Sequence, residues 1–135
     1  MSLNCQQNVT VFYERVTIGA SGAVAGQHSS PLSISRSATG TYVVTLPRVY
    51  SVLFKAECVL KPAGGAATAQ RLDLLAETVA TSKTITFKNT VETVPGTANV
   101  DGNAQASAPV TNTITYTVTD PASGDHLYFE IVVGD

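Results

Sequence analysis

The chain reads as all-β: a single-domain, jelly-roll-like β-sandwich of about eight antiparallel strands. Three observations predict this. Apolar and polar residues alternate cleanly along residues 52–60 and 127–133, and side chains alternate faces along a strand. Turn-forming residues recur at short intervals, as at Ala38-Thr39-Gly40 and Pro121-Ala122-Ser123-Gly124. No stretch carries a convincing helical period, and no internal repeat suggests a propeller or solenoid.

Residues 8–18 form the first strand. Val9, Val11 and Tyr13 are expected on one face, and Thr10, Phe12 and Glu14 on the other. Val16 and Ile18 then extend the apolar pattern past a bulge near Glu14-Arg15. Gly19-Ala20-Ser21-Gly22 breaks the strand. Residues 23–30 are small and fit a short edge strand. Leu32 and Ile34 alternate with Ser33 and Ser35, and the turn at Ala38-Thr39-Gly40 leads into residues 41–46, so residues 32–46 read as a hairpin. Pro47-Arg48-Val49-Tyr50 is a corner. Proline cannot donate to a ladder, and Tyr50 anchors the corner through its ring.

Residues 51–61 make the long strand around which the chain is organised. Val52, Phe54, Ala56, Cys58 and Leu60 are expected inward; Lys55, Glu57 and Lys61 are expected outward. Residues 62–67 are a loop. Residues 71–79 fit a strand or a short helix, since Leu72 and Leu74 alternate while Leu72, Leu75 and Val79 share a helical face; the strand is preferred. Ile85 and Phe87 point inward from the next strand. Residues 91–110 are rich in Gly, Ala, Asn and Thr and read as one long loop. Ile114, Tyr116 and Val118 are expected inward from a strand at 113–119. The turn at residues 120–125 follows, with Asp120 and Asp125 capping its amides. In the last strand Leu127, Phe129, Ile131 and Val133 face inward, and Tyr128, Glu130 and Val132 outward.

At 135 residues and 44% hydrophobic content the chain suits one domain, 1–135, with a real core and a loose N-terminus at 1–7. Charged residues make up only 13%, against roughly 25% in an ordinary soluble domain. Such a surface is cheap to desolvate and favours packing against protein. A net charge of -2 and the absence of any Lys/Arg run argue against nucleic acid. The first five residues lack the features of a signal peptide. No apolar run approaches the roughly 18 residues of a membrane span. The sequon Asn8-Val9-Thr10 carries no weight without a secretion signal.

No catalytic, cofactor or metal constellation stands out. Cys5 and Cys58 are too few for a disulfide framework, and Cys58 reads as a buried free thiol. His28 and His126 lack a partner nucleophile in a suitable turn. Asp120 and Asp125 lack the further oxygen ligands that calcium takes. Cysteines and histidines show no zinc spacing. Asp73 and Glu77 read as solvated charge. The chain is therefore expected not to be an enzyme and to need no cofactor.

Two segments carry a resemblance. The run Ser37-Ala38-Thr39-Gly40-Thr41-Tyr42-Val43-Val44-Thr45-Leu46, followed by Tyr50-Ser51-Val52-Leu53, resembles a pattern in small structural proteins of tailed bacteriophages. So does Asp120-Pro121-Ala122-Ser123-Gly124-Asp125-His126-Leu127-Tyr128-Phe129. These are scaffold motifs covering about half the chain, and they carry no catalytic residue across. The resemblance implies a capsid decoration, or cement, protein made in the host cytoplasm and placed on the outer surface of the virion capsid. Its partners would be the major capsid protein and itself, as homodimer or homotrimer, with neither nucleic acid nor membrane involved. The alternative is a head- or tail-fibre module that binds a host glycan or receptor. Within this reading Val94, Val100, Asn103 and Val110 of the long loop are the expected partner contacts.

Overall fold

A computed structural model gives the fold and describes residues 8–28, 30–64, 69–93 and 114–135. They form β1 (Val9–Ile18), β2 (Val24–Gln27), β3 (Ser33–Ala38), β4 (Thr41–Thr45), β5 (Val52–Lys61), β6 (Gln70–Glu77), β7 (Thr84–Thr93), β8 (Thr115–Val118) and β9 (His126–Gly134). Every pairing is antiparallel. The order is β2-β1-β9-β5-β6-β7-β4-β3, with β8 beside β7. The chain is thus the all-β single domain that its patterning predicts.

The sheet folds back on itself at a weak seam. β5 pairs with β9 along its whole length, but among the described residues pairs with β6 only at Cys58 opposite Leu72. Two layers result, β2-β1-β9-β5 and β6-β7-β4-β3, and β2 comes back near β3 to almost close the ring. The core fills the space between them. Phe12, Val16, Ile18, Leu127, Phe129 and Ile131 enter from the first layer; Tyr42, Val44, Leu72, Ile85 and Phe87 enter from the second. Phe87 and Phe129 meet edge-on across the layers at 5.4 Å and 67°. Burial pushes the Cys58 thiol well up, so this side chain behaves as a small apolar residue rather than a nucleophile. Cys5 lies outside the described residues.

The hairpin at residues 32–46, the corner at Tyr50 and the facing of the last strand are as expected, and the segment expected as strand at 71–79 is strand over Gln70–Glu77, with Val79 in the turn that follows and Leu74 exposed at a bulge. Tyr50 is buried edge-on against Phe12 at 6.1 Å, with the Arg48 guanidinium 4.0 Å above its ring.

Four expectations are corrected. First, β1 runs against β9 in unbroken register from Val9↔Gly134 to Thr17↔His126, with no bulge at Glu14-Arg15. One phase therefore holds throughout: Phe12, Glu14, Val16 and Ile18 face inward, and Val9, Val11 and Tyr13 face out. Second, β5 bulges between Leu53 and Lys55. The bulge turns Leu53 toward the core and leaves Phe54 49% exposed, with its ring over Gly134.

Third, β7 continues to Thr93 because β6 and β8 pair both of its edges there, Gln70↔Val91 on one side and Val91↔Thr117 on the other. The loop expected to begin at residue 91 is strand for its first three residues. Fourth, Ile114, Tyr116 and Val118 are exposed. Their strand extends the β7 edge beyond β4, past the closed part of the core, where no described strand packs on either face of it.

The β2/β3 seam is closed by a side chain. The Gln27 amide nitrogen donates to Glu14 Oε2 at 3.1 Å and to the Leu32 carbonyl, while Ile34 N donates to Gln27 Oε1 at 3.4 Å. The amide stands in for a missing rung of the ladder. It also partners Glu14, which is inward-facing and buried, and whose other oxygen accepts from Arg15 N at 2.8 Å. Gln27→Ala is expected to cost about 1–3 kcal/mol in urea unfolding, because a buried acceptor loses its donor. A loss below about 0.5 kcal/mol would mean that the seam holds without this bridge.

A polar node ties the other end together. Asp120 accepts from Arg36 Nε and Nη2, both at 2.9 Å, and from Gly40 N at 2.7 Å. Asn89, fully buried, donates to Gln70 Oε1 and to the Thr119 carbonyl, both at 2.9 Å. The Tyr42 hydroxyl donates to the Gly22 carbonyl at 2.6 Å; burial, with Asp120 nearby, pushes its pKa up to about 12. The Arg36 hydrogen bonds, aided by Gly40 N, hold the Asp120 carboxyl below its usual range.

The folded state thus favours the Asp120 carboxylate. Its contribution is complete above the ordinary aspartate pKa of about 3.9 and is lost as pH falls through the lowered value. Asp120→Asn should flatten the loss of melting temperature on acidification below about pH 4. An unchanged acid slope would show that other carboxylates dominate it.

Candidate binding face

The outward-facing positions of β1, β9 and β5 form one continuous surface, built by register. Arg15 lies opposite Tyr128, and Tyr128 opposite Val59. In the adjacent row, Tyr13 lies opposite Glu130 and Glu130 opposite Glu57. These six side chains line a groove of about 500 Å³ that reaches His28 at the end of β2. His28 is placed there by its backbone, which donates to the Arg15 carbonyl at 3.0 Å.

The groove has two electrostatic halves. At one end Lys55 Nζ sits 3.2 Å from Glu130 Oε2 and 3.5 Å from Glu57 Oε2. One cation thus spans two carboxylates, and the Oε1 atom of each has no partner among the described residues. At the other end the Arg15 side chain has no ion-pair or hydrogen-bond partner among the described residues. Lys61 is likewise unpaired, on the same outer face one row beyond Val59 and opposite His126. Tyr128 stands beside Arg15 in one row, and Glu130 and Glu57 stand in the next. The Tyr128 ring is braced edge-on by His126, at 6.4 Å and 60°, and His126 Nδ1 is fixed 3.1 Å from the Thr17 hydroxyl. Tyr13 is 69% exposed.

This surface can offer flat aromatic area, an unpaired guanidinium and carboxylate acceptors within one shallow groove. Sequence reasoning missed it because the face of β1 was misassigned. The signal was present: once Glu14 is accepted as an inward residue, Phe12, Glu14, Val16 and Ile18 alternate without interruption.

The sequence-derived candidates fall elsewhere. Val94, Val100, Asn103 and Val110 lie outside the described residues. His28 and His126 serve the groove rim and the Tyr128 brace. Asp125 caps amides as expected, accepting from Ala122 N and Ala63 N at 3.0 Å each. Asp120 reaches Gly40 and Arg36 instead of its own turn. Asp73 is exposed and bonded to Arg71 at 3.0 Å. Glu77 caps the Val79 amide. Among the described residues, no three His, Cys, Asp or Glu side chains cluster closely enough to hold a metal ion. No family model, curated protein or solved structure matches the chain.

Proposed function

We propose that this chain is a non-catalytic virion structural protein that decorates the outer face of a bacteriophage capsid. It binds the major capsid protein lattice and stabilises it, and self-association as a dimer or trimer places several copies on one site. The observation that supports this reading is β8. Among the described residues it hydrogen-bonds to β7 alone and no strand pairs its other edge. It exposes Tyr116 (57%) and Val118, and Ile114 stands exposed just before it. An open strand edge beside exposed apolar side chains recruits another chain, by strand addition and by burial of the apolar surface. The low charge of the chain, 13%, keeps the desolvation cost of such a contact small.

Capsid retention tests this. The protein should be present in numbers matching the capsid subunits, and should stay bound in sodium chloride up to about 1 M, where the Debye length is about 3 Å. Tyr116→Asp should release it while leaving the isolated fold intact, because Tyr116 packs in no core. Release of the wild type at a few tenths molar salt, or full retention of Tyr116→Asp, would overturn the assignment of this face.

A further inference from the structure

We propose that the β1-β9-β5 groove binds an acidic saccharide through a sugar carboxylate on Arg15. This face lies three strands around the sheet from β8, so the inference holds whether or not β8 meets a capsid. The groove's size, about 500 Å³, falls in the range of small-ligand sites, roughly 300–1,000 Å³.

Its chemistry is directional. A guanidinium prefers a carboxylate, which it can engage with two parallel hydrogen bonds; the Arg15 side chain pairs with no acid among the described residues, and the Glu14 carboxylate, which also lines the groove, is engaged by Gln27 and by Arg15 N. Lys61, one row away, adds positive potential at the same end. Tyr128, braced by His126, offers a ring that loses little freedom on binding and suits the apolar C–H face of a pyranose. In the adjacent row, the Oε1 atoms of Glu57 and Glu130, unpartnered among the described residues, accept hydrogen bonds and donate none. A ligand must therefore carry an anion beside Arg15, an apolar face over Tyr128 and hydroxyl donors toward the Glu130–Glu57 row.

An acidic sugar has that order of groups. An acidic peptide does not, because its further carboxylates would meet Glu57 and Glu130. Nor does the face of a sheet offer the unpaired backbone groups that an extended peptide uses.

The test is a titration of the full chain, followed by NMR and calorimetry, with four probes: 3′-sialyllactose, trigalacturonate, lactose and hexaglutamate. The first two separate a sialic acid from a uronic acid source. At least one of them should bind about tenfold or more tighter than lactose, with shifts centred on Tyr13, Arg15 and Tyr128. Arg15→Gln should remove that preference without changing the melting temperature, since Arg15 is exposed and its side chain bonds to nothing among the described residues. Tyr128→Phe should retain binding and Tyr128→Ala should weaken it. Equal binding of lactose, failure of both acidic saccharides to bind, or an unaltered preference in Arg15→Gln would overturn the proposal. Binding of hexaglutamate alone would overturn it in favour of an acidic peptide site.

Discussion

Phe129→Ala should destabilise the protein by about 3–5 kcal/mol, the range for truncating a large aromatic in a close-packed core. Phe129 is 2% exposed and stands in the middle of β9. Its strand is hydrogen-bonded on both sides, to β1 and to β5, so the backbone cannot move in to fill the space left behind. Its ring also meets Phe87 of the opposite layer edge-on, a contact that adds to the area term. Among the described residues the two layers share one ladder bridge at β5/β6, so packing between them adds to the side-chain hydrogen bonds of Gln27 and Tyr42 in holding them together. Urea unfolding monitored by circular dichroism measures the loss. Phe54→Ala is the control. With Phe54 half exposed over Gly134, it should cost less than about 1.5 kcal/mol. If Phe54→Ala proved as costly as Phe129→Ala, the bulge between Leu53 and Lys55 would be misplaced.

Gly40→Ala should cost roughly 2–5 kcal/mol, from left-handed backbone strain plus overpacking. Gly40 has φ +63, a conformation that costs any residue with a Cβ, and here the space is closed as well. An added Cβ would stand 2.6 Å from the Thr119 carbonyl oxygen, 2.8 Å from Val118 Cγ1 and 3.0 Å from the Asn89 carbonyl oxygen. Two of those neighbours are backbone and cannot rotate away. The Gly40 carbonyl also accepts from Asn89 N at 2.7 Å, and its own N–H reaches Asp120. Displacing Gly40 therefore loosens the Asn89–Thr119 and Arg36–Asp120 contacts together. Gly124→Ala, also at positive φ (+95), would meet, among the described residues, only the Ala63 side chain, at 3.2 Å. It should cost about 1–2 kcal/mol, the conformational part alone. Equal losses in the two variants would show that strain rather than contact sets the effect at Gly40.

Much of this molecule is legible in the order of its residues. The alternation of Leu127, Phe129, Ile131 and Val133 decides the face of β9, because a strand flanked on both sides allows no other phase that buries four large apolar residues. Gly40 and Pro47 delimit the β3–β4 hairpin and the corner after it, since left-handed backbone and a missing N–H are local properties. The low charge and the all-β class are likewise matters of composition and period.

What only the tertiary structure decided concerns pairing. A bulge is a property of two strands, so Phe54 could not be seen to turn outward until β5 met β9. Glu14 looks like surface until Gln27, thirteen residues away, supplies its partner across the β2/β3 seam. Ile114, Tyr116 and Val118 have an inward-facing pattern, but β8 lies beyond the end of β4, where no second layer of described residues covers it. The candidate groove is the extreme case. Arg15, Val59 and Tyr128 are scattered along the chain, and only the registers of β1 and β5 on β9 set them side by side. Local propensity cannot encode that juxtaposition, because it arises from cross-strand hydrogen bonds between segments far apart in sequence.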